Sequence, residues 1–327
     1  MAAFGTAFTD TMAIATYGAD GWSPVDFRPV SPLALHPGAH VLHYASSCFE
    51  GLKAYRHGDG SVHIFRLARH VERLRRSAEL LCLPVPEAAL LETAIRGTVD
   101  AARDAVPERP GALYLRPVLI GTDPSIGSAG SAATEALFYV IASPVGSYFG
   151  DDPAGLKILL DDRHMRSAPH FGAAKSGGNY ASALRPVLEA RRDWGVDQVV
   201  FCPGGDVQEA GAANFFLLDD SRLVTRPADD AILHGITRSS LLELAGTLGY
   251  EAQERPITVT EALAWSRKAE AALSGTAAIL APIGVLVHGG REHPVGGSGA
   301  SARRLRHALS EIHYGDREDS FGWLSAV

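Results

Sequence analysis

Cysteine is scarce in this chain. Cys48, Cys82 and Cys202 are the three in 327 residues, too few and too scattered for a disulfide framework or a metal site such as zinc, so a reducing cytoplasm is the simplest expected home. Long apolar runs are also missing. The stretch 136–142 is far below the roughly 20 residues a membrane-spanning helix needs. The opening Met1-Ala-Ala-Phe-Gly-Thr6 has no basic region ahead of an apolar core, so no secretory signal is expected. Positive charge is not in excess: 30 Lys and Arg face 37 Asp and Glu, a net charge of -7. That argues against a general affinity for nucleic acid or anionic membrane. No internal repeat or long low-complexity tract is present.

What is there suits an enzyme with sizeable cores: 46% apolar and 20% charged residues. The length exceeds one average domain, so two are expected. Residues 62–65 alternate like a strand, and 67–83 carry Leu67, Val71, Leu74, Ala78 and Leu81 at helical spacing. Residues 88–102, 182–194 and 239–248 read as helices. Residues 112–120, 137–142, 156–160, 198–202 and 215–218 read as strands. Ser143-Pro-Val-Gly-Ser-Tyr-Phe-Gly-Asp-Asp-Pro153 is dense in turn residues. It marks a linker at 144–153 between a domain at 1–143 and another at 154–327. The glycine-rich 289–300 lacks the lysine of a phosphate-binding P-loop and reads as a surface loop.

Two segments suggest chemistry. Lys175-Ser-Gly-Gly-Asn-Tyr180 sets a lysine among small residues, where a flat ligand can approach and a carbonyl cofactor can be captured by the amine. Gln208-Glu209-Ala-Gly-Ala-Ala-Asn214 follows with a carboxylate that can hold a protonated pyridine nitrogen. Alone, each half reads as a solvated loop. Gly235-Ile-Thr-Arg-Ser239 opens a helix whose free amides favour an anion, or simply caps it. Tyr114 and Arg116, two apart on a strand, project from one face. Arg73 stands among Arg69, Arg75 and Arg76 on what is otherwise a basic helix face.

Taken in order with Leu42-His-Tyr-Ala-Ser-Ser-Cys-Phe-Glu-Gly-Leu-Lys-Ala-Tyr-Arg56, Leu113-Tyr-Leu-Arg-Pro117, Ser274-Gly-Thr-Ala-Ala278 and Glu318-Asp-Ser-Phe-Gly-Trp-Leu324, these segments resemble the branched-chain aminotransferases. The resemblance runs from about Trp22 to the last residues. It implies the two-domain α/β (α+β) architecture of fold type IV, like that of D-amino-acid aminotransferase. A small N-terminal domain and a larger C-terminal one would hold pyridoxal 5'-phosphate at their interface, in a homodimer whose pockets share residues. It also implies roles. Lys175 anchors the cofactor covalently and moves the substrate proton; Glu209 faces the pyridine nitrogen; Tyr180 bonds the phenolic oxygen. Arg73, Ile236, Thr237 and Thr276 hold phosphate. Thr276 and Ala277 offer amides to the substrate carboxylate, aided by Tyr114, and Arg116 receives the side-chain carboxylate of glutamate. Tyr44, Phe49 and Tyr148 line an apolar pocket, or are ordinary core.

The chain departs from the family at 162–172, shorter than in many relatives, and at His234, where proline is common. It has no Cys-x-x-Cys pair, so no redox switch is expected. Other type IV enzymes stay open: a D-amino acid or amine transaminase, an aminodeoxychorismate-lyase-like enzyme, or a transaminase for an unusual amino acid in specialised metabolism. So does a non-enzymatic binding module. Phe49-Glu-Gly51 and Tyr114-Leu-Arg116 favour the branched-chain group.

Overall fold

The β-branched and alternating stretches of the N-terminal part become strands of one antiparallel sheet. They are β1 (Thr11–Gly18), β2 (Gly21–Trp22), β3 (Asp26–Pro29), β4 (Ser47–Phe49), β5 (Leu52–Arg56), β6 (Val62–Phe65), β7 (Ala112–Gly121) and β8 (Ala136–Val145). In the computed structural model, which describes residues 4–146 and 155–327, the sheet order is Leu324–Ala326, β6, β5, β7, β8, β1, β2. β3 lies beside β1, and β4 beside β7. Helix α1 (His40–Tyr44) precedes β4, and α2 (Leu67–Leu80) and α3 (Ala88–Ala101) lie between β6 and β7. Leu67, Val71, Leu74 and Ala78 of α2 recur at helical spacing and join Leu91, Ile95 and Val99 of α3 in the core with Leu52, Ala54 and Leu113. Truncating fully buried Leu74 to alanine should cost about 2–5 kcal/mol.

The second sheet holds β9 (Leu156–Asp161), β10 (Gln198–Phe201), β11 (Glu209–Ala210), β12 (Asn214–Leu218), β13 (Arg222–Thr225), β14 (Glu251–Glu254), β15 (Glu270–Gly275), β16 (Ile279–His288) and β17 (Arg291–Pro294). It is mixed: β9 runs parallel to β10 and β16, and β13 to β14. Between these strands come α4 (Gly177–Trp194), α5 (Ile236–Thr247) and α6 (Val259–Ser266). β14 and β17 are mostly exposed, but the inner strands are largely buried; Phe215, Phe216, Leu217 and Leu218 of β12 are at most 1% exposed, the pattern of a strand covered on both faces.

Contacts divide the chain into Met1–Tyr148, Ala174–Gly178 and Ile312–Val327 in one unit and Phe149–Ala173 with Asn179–Glu311 in the other. This differs from a single cut at 144–153. The C-terminal segment belongs with the first unit because Leu324–Ala326 pairs with β6. Aromatic contacts reinforce it, with Trp323 edge-on to Phe65 at 5.7 Å. Ala174–Gly178 belongs there through backbone bonds to β4. Most of the linker lies outside the described residues. Three further expectations change. α2 stops at Leu80, short of 83, because Cys82 takes a left-handed φ of 51° and Pro84 follows. α4 starts at Gly177, so the glycine pair after Lys175 forms the first helical turn. Part of the supposed surface loop 289–300 is a hairpin: Gly289 and Gly290, with φ of 57° and 75°, join β16 to β17 in a two-residue turn that only such φ values close.

His313 packs inside the first unit, stacked on Tyr55 at 4.5 Å with Phe65 edge-on at 4.3 Å. Neither ring nitrogen has a hydrogen-bond partner among the described residues. Burial, then the nearby Lys53 charge, pushes its pKa down to about 3. The unfolded chain binds this proton near pH 6.5, and the folded chain does not until about pH 3. Stability should therefore fall as pH drops through that window, by up to ~1.4 kcal/mol per pH unit. His313→Phe keeps the ring stack and removes the titration. Urea unfolding between about pH 4 and 7 should give a shallower pH slope for the variant; an unchanged slope would assign the acid sensitivity elsewhere.

Candidate active site

In the first unit, β4 ends at Phe49, whose amide donates to the Lys175 carbonyl at 3.1 Å. The Lys175 amide donates to Ser77 Oγ at 3.0 Å, and Cys48 bridges to Ser176. The lysine is thus clamped through its backbone on both sides. Its Nζ lies 5.1 Å from the centre of the Phe49 ring. On the same ring, the Arg116 guanidinium carbon sits at 4.7 Å. Arg116 also donates to the Tyr114 hydroxyl at 2.8 Å, and no carboxylate pairs with it among the described residues. The alternation of β7 puts Tyr114 and Arg116 on one face, as expected. Gly51 is required beneath them: a Cβ there would lie 2.1 Å from the Tyr114 hydroxyl. Phe4 meets the Tyr114 ring edge-on at 5.0 Å, a contact nothing in the sequence announces.

Helix α2 carries His70, Arg73 and Ser77 at i, i+3 and i+7, one face of the helix. All three serve this region. Glu50, 1% exposed, accepts from Arg73 Nε at 2.6 Å and Nη2 at 2.8 Å, from His70 Nδ1 at 2.7 Å and from the Gly51 amide at 3.1 Å. Burial alone would raise the Glu50 pKa. The Arg73 and His70 charges and hydrogen bonds outweigh it and hold the carboxyl well below the usual range. His70 is pushed down, first by burial, with Glu50 opposing and the Arg73 and Lys175 charges adding. The family pattern puts Arg73 at a phosphate; the structure shows its guanidinium oriented by Glu50. Tyr44 stands apart from this group. Its ring packs on His40 at 4.9 Å, and its hydroxyl donates to the Ile126 carbonyl. Tyr148 lies outside the described residues.

In the second unit, Glu209 is 2% exposed. It accepts from Arg166 Nη1 at 2.7 Å, from Asn214 Nδ2 at 3.0 Å and from the Leu233 amide at 2.8 Å. Asn214 also donates to the Leu233 carbonyl at 3.0 Å. The Leu233 segment leads straight into α5. Gly235 caps this helix with no side-chain hydrogen bond, leaving its first amides for another acceptor. Only glycine fits here, because a Cβ would come 2.0 Å from Asn214 Oδ1. Ile236 and Thr237, both 7% exposed, form the first turn. One framework therefore joins a buried carboxylate to an uncapped helix start. His234, in place of the family's usual proline, bonds the Asp229 carbonyl at 3.0 Å. Tyr180, near the start of α4, has the Arg166 guanidinium carbon 6.0 Å from its ring centre. Thr276 and Ala277 form the turn between β15 and β16, closed by Ile279 at a φ of 62°. A β-branched residue there is strained, a feature that persists where the surroundings over-determine it.

Sequence reasoning misses Glu50, His70, Ser77, Arg166 and Asn214. The α2 spacing of His70, Arg73 and Ser77 is a visible signal; Arg166 carries none among Arg163, His164 and His170.

A buried carboxylate beside an uncapped helix start, and a backbone-clamped lysine on an aromatic wall, are the parts a pyridoxal phosphate transaminase uses. The comparisons agree. The profile of amino-transferase class IV matches residues 47–285. The chain belongs to the class IV aminotransferase family and works with pyridoxal 5'-phosphate. It is 35% identical to branched-chain-amino-acid transaminase 1 of Bacillus subtilis (strain 168), covering 99% of this chain and 94% of that one. It is 37% identical to the branched-chain-amino-acid aminotransferase of Mycobacterium tuberculosis (strain H37Rv), covering 99% and 92%. Among solved structures, the branched-chain aminotransferase of the archaeon Thermoproteus uzoniensis with norvaline superposes with a TM-score of 0.78 at 29% identity, covering 97% of this chain and 99% of that one.

Glu50→Gln should show how much depends on the α2 face. The amide keeps the shape and loses the charge that matches Arg73 and His70. Removing one partner of a buried pair costs about 3–5 kcal/mol. We expect a large drop in the urea midpoint. A variant of wild-type stability would mean Arg73 is held by other groups.

Proposed function

We propose that this chain transfers the amino group between an L-branched-chain amino acid (leucine, isoleucine or valine) and 2-oxoglutarate, giving the branched 2-oxo acid and L-glutamate. The observation that carries this reading is the Phe49 wall, with Lys175 Nζ at 5.1 Å and Arg116 at 4.7 Å from one ring. An apolar side chain can lie on that ring. A glutamate side chain lying the same way meets the guanidinium, whose planar fork suits a carboxylate. The names of the relatives support the same substrate class.

The residues fit the cofactor. Glu209 would keep the pyridine nitrogen protonated through a charge-assisted hydrogen bond, and Tyr180 would bond the phenolic oxygen. The start of α5, with Ile236 and Thr237, would take the phosphate on its amides, joined by Thr276 and Arg73. When bound, pyridoxal phosphate supplies an electron sink for the substrate's alpha carbon. Lys175 would be the catalytic residue: its amine would anchor the cofactor and, once freed by the substrate, take the proton from that carbon and pass it to the cofactor. The amides of Thr276 and Ala277 orient the alpha-carboxylate, with Tyr114 beside it. Phe49, Tyr44 and Tyr148 line the apolar side. Tyr44 and Tyr148 suit a pocket completed across a homodimer. Leu42 and Ile126, 59% and 74% exposed, flank Tyr44 and support such an interface. A domain boundary at 144–153 and a cytoplasmic location belong to the same reading. No helix among the described residues is long and apolar enough to cross a membrane.

Lys175→Ala should abolish the covalent, borohydride-reducible attachment of the cofactor to the protein and nearly all turnover. Retention of either would remove the lysine from its role. Arg116→Leu should weaken the glutamate half-reaction by about ten- to one-hundred-fold and leave the leucine half-reaction nearly unchanged. Single-turnover rates with leucine, isoleucine, valine, their D-enantiomers and glutamate test this directly. Preference for D-amino acids would point to another type IV enzyme. Equal losses with leucine and glutamate would give Arg116 to the common alpha-carboxylate.

A further inference from the structure

Arg166 is among the largest fully buried side chains in the protein, at 1% exposure, yet the reaction assigns it no part. Its guanidinium sits 2.7 Å from Glu209, bonds the carbonyls of Gly172 and Gly211 at 3.3 and 3.4 Å, and has its carbon 6.0 Å from the centre of the Tyr180 ring. Its own carbonyl is held by Ser182 Oγ at 2.6 Å, two residues past Tyr180 on α4. One arginine therefore bonds Glu209 and faces the Tyr180 ring, the two side chains that would grip the polar edges of the cofactor ring.

A dry carboxylate with no cation favours its neutral form, and a neutral carboxyl cannot favour a pyridinium as a carboxylate does. Packing alone does not call for an arginine here, since a buried ion pair is often replaceable by apolar residues without loss of stability. We propose that Arg166 is a positioning residue that keeps the Glu209 carboxylate ionised and aimed, and sets Tyr180 against the same frame, before the cofactor arrives. This rests on the cofactor roles assigned above to Glu209 and Tyr180. Glu209 is reached by Arg166 from the 162–172 segment, by Asn214 from β12 and by the Leu233 amide ahead of α5; Arg166 is the charged group among these donors.

The test titrates cofactor-free protein with pyridoxal 5'-phosphate, reading the dissociation constant and the visible absorbance band. Wild type should bind and turn yellow. Arg166→Met should bind about ten- to one-hundred-fold more weakly, the scale of one charge-assisted hydrogen bond, with its band moved to that of Glu209→Gln. The double variant Arg166→Met, Glu209→Gln should bind no worse than Glu209→Gln alone, because the arginine acts through that carboxylate. Arg166→Lys restores charge without the fork, so its affinity should fall between wild type and Glu209→Gln. This variant decides the matter if the methionine variant does not fold. The inference is overturned if folded Arg166→Met or Arg166→Lys matches wild type in affinity and band, or if the losses simply add in the double variant. A wild type that never binds the cofactor would instead sink the functional reading beneath it.

Discussion

The carboxylate of Glu50 takes four hydrogen bonds at 1% exposure, and the functional geometry of the first unit hangs from it. A buried charge must be matched or neutralised. Matching it fixes Arg73 and His70 of α2, and through the next turn Ser77, which receives the Lys175 amide. Glu50 also follows Phe49, the ring shared by Lys175 and Arg116. Helix register, strand end and the backbone at Lys175 are thus set by one charge balance. The lysine enters that arrangement through its backbone amide, and its Nζ lies over the Phe49 ring.

The second unit repeats the solution with different parts. Glu209 is matched by Arg166 and braced by Asn214 and the Leu233 amide. Asn214 fills the space that makes Gly235 obligatory, so the carboxylate and the start of α5 are built as one piece. Shifting either would shift both. Rigid coupling of this kind suits a ligand with a cation at one end and a phosphate at the other, because both grips must hold a fixed separation.

Much of this was legible in the sequence where it depends on local pattern. The apolar spacing of α2 and α3, the strands of residues 112–121 and 214–218, and the same-face placement of Tyr114 and Arg116 all follow from periodicity. The aminotransferase family was legible from ordered motifs. Long-range charge matching was not. Glu50 was visible as part of Phe49-Glu-Gly51, but nothing local says that Arg73, on the following helix, is its partner. Arg166 looked like its basic neighbours, and only burial distinguishes it. The pairing of Leu324–Ala326 with β6 leaves no mark on either local sequence. The hairpin at Gly289-Gly290 is hidden because glycine richness marks an irregular loop and a positive-φ turn alike.

Glycines separate what the chain needs for itself from what it needs for something else. At Gly51, Gly172 and Gly235 a Cβ would strike Tyr114, Ala231 or Asn214 at 2.0–2.2 Å, so packing explains them. Gly177 and Gly178 differ. Both open α4, neither has a positive φ, and a Cβ would meet nothing closer than Ser176 Oγ at 3.9 Å. Glycine inside a helix costs roughly 0.5–1 kcal/mol relative to alanine, and two adjoin here at the helix start. The backbone and the packing supply no reason to accept that cost. The position offers one: the pair stands two residues after Lys175 and just before Tyr180, and under the function proposed above a flat ring would approach the main chain there.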